Sequence, residues 1–123
     1  MPTVEDQALA ARFYLDIFQR GNLAAADEIL APTFVIHSPD FELPPGPESV
    51  KYWAALTRVS FPDLHLTQVH SSTVGERVVI HWTACGTQQQ KLLSGASSGE
   101  PVTATGSTIF RLADGKLLEL WPA

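Results

Sequence analysis

Proton-transfer chemistry near neutral pH needs a group that titrates there, or a carboxylate whose burial lifts it into that range. His37 meets the first requirement and closes a β-branched, aromatic run, Thr33-Phe-Val-Ile-His37. Asp40 follows in a proline-rich stretch and could orient the imidazole. These two are the candidate catalytic residues; a histidine that caps its strand and an aspartate that makes a turn are the competing readings. Glu119 is the other acid inside an apolar run, but alternation puts it on the charged face of its strand, opposite Arg111 or His81. Tyr14, Trp53 and Trp82 carry donors suited to a ligand carbonyl, and on inner faces of helices and strands such residues also serve as core. His65, His70 and His81 have no metal-ligand spacing with cysteine or carboxylates, so no metal is expected. The single Cys85 excludes an internal disulfide and reads as a small residue of a strand. A nucleophile elbow, a phosphate loop and a dinucleotide fingerprint are all missing from the sequence, and no cofactor is expected.

The elements that must position these groups follow from pattern. The 123 residues are enough for one core, so a single domain over 1–123 is expected. With 45% hydrophobic and 17% charged residues the chain is neither disordered nor fibrous. A net charge of −5 with scattered Lys and Arg argues against nucleic acid as a partner. No apolar run is long enough to span a membrane and the first residues lack a basic, then apolar, leader, so the expected location is the cytoplasm and no membrane partner is expected.

Thr3-Val-Glu-Asp6 has capping-box spacing ahead of an apolar-periodic segment that includes Phe13, Tyr14, Ile17 and Phe18 and stops at Gly21. Asn22 is placed to cap a short second helix over 23–30, which Pro32 would terminate. Pro47 opens a third helix over about 48–60, with Val50, Trp53, Ala54 and Thr57 on its inner stripe. Four strand patterns follow, over about 64–72, 77–87, 102–112 and 116–121. The first has imperfect alternation that suggests a bulge. Gly75-Glu76 and Asp114-Gly115 make the tight turns, and 88–101 is a polar, Gly/Ser-rich connection. Alternation places Val78, Ile80, Trp82, Ala84, Thr108, Phe110, Leu118 and Leu120 on one face, and Arg77, His81, Ile109, Arg111, Leu117, Glu119 and Trp121 on the other. Helices first and hairpin-linked strands after them imply an α+β fold with a mostly antiparallel sheet.

The closing run Gly106-…-Ile109-Phe110-Arg111-Leu112-…-Asp114-Gly115-Lys116-…-Glu119-Leu120-Trp121 resembles the terminal hairpin of SnoaL-like polyketide cyclases, of the nuclear-transport-factor-2-like superfamily that also holds ketosteroid isomerases. Arg20-Gly-Asn-Leu23, Leu30-Ala-Pro-Thr-Phe34, Phe61-Pro-Asp-Leu64 and Gly75-Glu-Arg-Val-Val79 extend the resemblance over nearly the whole chain. It implies a cone-shaped fold: a curved sheet wrapped around about three N-terminal helices, with an apolar pocket open at one end. On the inner faces read above, the residues expected to line that pocket are Phe13, Tyr14, Trp53, Trp82, Thr108, Phe110 and Leu120; the resemblance implies a small, polycyclic or steroid-like apolar ligand and places His37 near the pocket. In the cyclases an Asp commonly follows the hairpin Trp as acid/base and a His often precedes it; here those positions are Pro122 and Leu120. Two functions therefore stand side by side: a cyclase or isomerase working by proton transfer through His37 and Asp40, and a non-catalytic ligand-binding or dimeric accessory domain. Relatives commonly dimerise through the outer sheet face, and a homodimer is expected.

Overall fold

The computed structural model describes residues 2–38, 42–87 and 101–122. The candidate Asp40 and the Gly/Ser-rich stretch 88–100 lie outside them. Helix α1, Val4–Arg12, starts at the predicted capping box: the Asp6 amide donates to the Thr3 hydroxyl and the Thr3 amide to the Asp6 carboxylate, both at 3.0 Å. The helix then widens into a π-helical segment, Phe13–Gln19. With more than four residues per turn, Phe13, Tyr14, Ile17 and Phe18 all face inward, and all four are buried. Gly21, at φ +70°, ends it as expected. The sequence did not show the cap that follows: Arg58 donates to the carbonyls of Phe18 and Gln19, placing a cation at the helix C-terminus.

Helix α2, Ala24–Ile29, begins without a side-chain cap; Asn22 contributes its backbone carbonyl to the Ala25 amide instead. Strand β1, Leu30–Ile36, starts at once, so Pro32 falls inside a strand rather than past a helix. It is tolerated because β1 is an edge of the sheet, where a missing N–H costs no ladder bond. Helix α3, Pro47–Ser60, buries Val50 and Ala54 and half-buries Trp53 and Thr57, the predicted stripe.

Strands β2 (His65–Val74), β3 (Arg77–Thr87), β4 (Pro101–Ala113) and β5 (Lys116–Pro122) form antiparallel pairs, and β1 adds in parallel beside β5. The curved, unclosed sheet runs β1-β5-β4-β3-β2. Both turns are as predicted: Gly75 is at φ +60°, and Asp114 and Gly115 are at +53° and +73°, the pair of left-handed residues that a two-residue hairpin with the sheet's twist requires. The expected bulge in β2 lies between Leu66 and Gln68. A second was not expected: between Arg111 and Leu112 the β4–β5 register slips, so that Leu112 faces Leu117 while Arg111 faces Glu119. Leu118 is the extra residue. The bulge turns Leu117 inward, where it is fully buried, and leaves Leu118 half-buried, the reverse of strict alternation.

The helices lie against the inner face of this sheet. Phe13, Phe34 and Phe110 are fully buried at its centre, with ring centroids 5.2 Å apart for Phe13–Phe110 and 6.2 Å for Phe13–Phe34. Burial of one such side chain contributes roughly 1.5–3 kcal/mol.

Candidate functional site

Beyond this aromatic core, toward the other end of the sheet, the packing opens into a cavity of about 440 Å³. Its walls are Tyr14 and Phe18 from the π-helical segment, Trp53 and Thr57 from α3, Leu66 from β2, Trp82 and Ala84 from β3, Thr105 to Thr108 from β4, and Leu120 and Pro122 from β5. Ile36 and Ser38 at the end of β1 and Leu64 just before β2 complete them. Of the residues expected to line a pocket, Tyr14, Trp53, Trp82, Thr108 and Leu120 are here. Phe13 and Phe110 stand behind the wall as core. Sequence reasoning missed Phe18, Thr57 and Leu66; for the first two, the apolar stripes of their helices held the signal.

The walls are neutral. Among the described lining residues there is no Asp, Glu, His, Lys or Arg. The polar feature is a cluster on the floor. The Tyr14 and Thr108 hydroxyls are hydrogen-bonded to each other, and the Trp82 indole N–H donates to Thr108 Oγ1 at 3.4 Å. Burial pushes the Tyr14 phenol well above its ordinary pKa, against the opposing effect of its bonds with Thr108 and Trp82, so it stays protonated. Trp82 reaches this position because its cross-strand neighbour is Gly106. A Cβ there would lie 2.8 Å from Trp82 Cζ2, so only glycine lets the indole lie across β4.

The ionisable groups are on the opposite side of the same hairpin. His37 Nε2 lies 2.9 Å from Glu119 Oε1, and Arg111 bonds the other carboxylate oxygen. The His37 ring stacks on Trp121 at 4.9 Å with an 11° interplanar angle, and the Arg77 guanidinium sits 4.2 Å from that indole. The Glu119 carboxyl is held below the usual carboxylate range, first by Arg111 and then by His37. Glu119 thus has the charged cross-strand partner that its parity implied, Arg111. His81 bonds Ser72 and Ser107 instead. His37 does not line the cavity, although its neighbours Ile36 and Ser38 do. Among the described residues no three His, Cys, Asp or Glu side chains gather as a metal-ligand set.

The model of the SnoaL-like polyketide cyclases matches residues 8–123. The chain belongs to this family. Its solved relatives share the fold. IdmH from Streptomyces antibioticus, a proposed polyketide cyclase, is 28% identical with a TM-score of 0.77, covering 98% of this chain and 91% of its own. TsrD from Streptomyces laurentii is 23% identical, TM-score 0.83, over 100% of this chain and 90% of its own. AclR from Streptomyces galilaeus, a proposed hydroxylase, is 24% identical, TM-score 0.76, over 94% and 85%. No curated protein matches the sequence. One scaffold thus carries proteins with different proposed reactions, and the activity of this SnoaL-like chain has to be argued from its own cavity. No described helix is long and apolar enough to cross a membrane.

Proposed function

We propose that this SnoaL-like protein binds a small apolar molecule of polycyclic or steroid-like size in the cavity, without the family's acid/base carboxylate. The observation that carries this reading is the neutral lining: an apolar site of about 440 Å³ with aromatic walls and no ionised side chain among the described lining residues. An acid or base there would be costly to ionise, and the hairpin positions that hold one in the cyclases are Leu120 and Pro122. The test is titration with fluorene, a three-ring hydrocarbon, followed by quenching of tryptophan fluorescence from Trp53 and Trp82. Saturable quenching in the wild type and its loss in Ala84→Phe, which fills the cavity, are expected; no saturable binding would overturn the reading.

A second reading, proton transfer in a cyclase or isomerase, is favoured by family membership and by the His37–Glu119 pair beside the cavity wall. Here His37 would be the base, with Asp40 as its candidate partner. Hydrogen-isotope exchange into an enolisable cyclic ketone separates the two readings. Catalysed exchange that disappears in His37→Ala supports the second; exchange unchanged by that substitution removes His37 from the chemistry. For the outer sheet face, where Thr83, Thr105, His81 and Ser107 satisfy one another, the proposal is contact with a second copy of the chain. Light scattering at micromolar concentration should give the mass of a dimer.

A further inference from the structure

We infer that the cavity floor selects a ligand by one neutral acceptor oxygen, a ketone or quinone carbonyl, which receives the Thr108 hydroxyl proton; the inference rests on the cavity being a ligand site. Trp82 N–H, Tyr14 O–H and Thr108 O–H bring one proton each; the indole proton is shared between the Thr108 and Tyr14 oxygens and one hydroxyl proton makes the Tyr14–Thr108 bond, so one proton remains. The indole can only donate, and it donates to Thr108. Between the two hydroxyls, the phenol is the stronger acid and the aliphatic oxygen the better acceptor, so Tyr14 also donates to Thr108. With both incoming bonds on Oγ1, the spare proton is that of Thr108, a residue of the cavity wall.

The other hydroxyls of the lining are already committed. Thr57 donates to the Trp53 carbonyl at 2.8 Å and Thr105 to the Trp82 carbonyl at 2.9 Å. Ser107 is bonded to His81 Nδ1 at 2.9 Å on the outer face, and Ser38 is engaged as well. A buried donor without a partner is expensive, so the cluster favours a ligand that supplies an acceptor at this depth. It disfavours a carboxylate, whose charge would enter a site with no cation among the described lining residues. Gly106 belongs to the same device as a positioning residue, since it is what lets Trp82 reach Thr108.

Fluorenone and fluorene have the same ring skeleton and differ by a carbonyl in place of a methylene, which makes them the probes. The wild type should bind fluorenone about tenfold more tightly than fluorene, the size of one well-formed hydrogen bond in a dry site. The carbonyl stretch of bound fluorenone should move to lower wavenumber than in hydrocarbon solvent. Thr108→Ser should keep the ratio, Tyr14→Phe should weaken the preference without abolishing it, and Thr108→Val combined with Tyr14→Phe, which removes both hydroxyls, should bring the ratio to about one. Melting curves of the variants establish that each is folded, and Thr108→Ser carries the test if the valine variant is not. Equal affinities of the two probes for the wild type, or a preference lost in Tyr14→Phe while Thr108 is intact, would overturn the inference while leaving the cavity reading intact. Failure of both probes to bind would overturn the cavity reading and the inference with it.

Discussion

The two sides of the β4–β5 hairpin differ by one residue in sequence and by nearly everything in chemistry. Inward, Thr108, Phe110 and Leu120 meet aromatic rings and a hydroxyl–indole cluster. Outward, Arg111, Glu119 and Trp121 meet His37 and Arg77 in a half-exposed network of charge and stacking. The outer groups keep their charges because water and counter-charges are at hand; the inner ones have no counter-charge among the described lining residues, and polarity there takes the form of neutral dipoles. A protein that worked by ionised acid–base groups in its cavity would invert this division. The difference is what supports the proposed function: an inner side without charge suits a neutral molecule.

The harshest way to break the comparison is to put a charge on the inner side. Leu120→Asp, at a fully buried position of the cavity wall, should destabilise the protein by about 3–5 kcal/mol at neutral pH. Because the buried carboxyl would have a raised pKa, the penalty should shrink as the pH falls toward about 4, where the unfolded chain also carries it neutral. Thermal melts across that range check both the size and the sign. A variant as stable as the wild type would mean that this wall is wet.

The next test concerns which residues are inside. Leu117→Ala should cost about 2–5 kcal/mol, as for any fully buried leucine, and Leu118→Ala roughly 1 kcal/mol or less, measured by chemical denaturation. Equal costs would remove the bulge between Arg111 and Leu112.

The smallest effect lies outside. Glu119→Gln should cost less than about 1 kcal/mol, since its partners His37 and Arg111 are well exposed. Its depressed carboxyl contributes stability above the unfolded carboxyl range and loses it as pH falls through the folded value, so the variant should show a flatter acid limb of melting temperature against pH.

That bulge also marks how far the sequence could be read. Strand β3 has no bulge, so period-two alternation placed Val78, Ile80, Trp82 and Ala84 correctly, and Asp114-Gly115 announced its turn by residue type. The same reasoning put five cavity residues on the wall, because Trp82, Thr108 and Leu120 follow from parity and Tyr14 and Trp53 from helical spacing. Leu117 and Leu118 defeated it: both are leucines, and nothing in their types says which is the inserted residue. His37 and Glu119 are far apart in the chain and meet only because β1 adds in parallel beside β5, a pairing that local pattern does not reveal. The Tyr14–Thr108 bond was hidden for the same reason, joining the first helix to the fourth strand.

The neutrality of the cavity is tested most directly by the affinity of the wild type for fluorenone from about pH 5 to about pH 9. The walls predict a flat profile: the described lining offers no carboxylate or imidazole to titrate, and burial keeps the Tyr14 phenol protonated throughout. A sigmoid or bell-shaped dependence, with binding gained or lost as a carboxylate or imidazole changes charge, would place an ionisable group in contact with the ligand and contradict it.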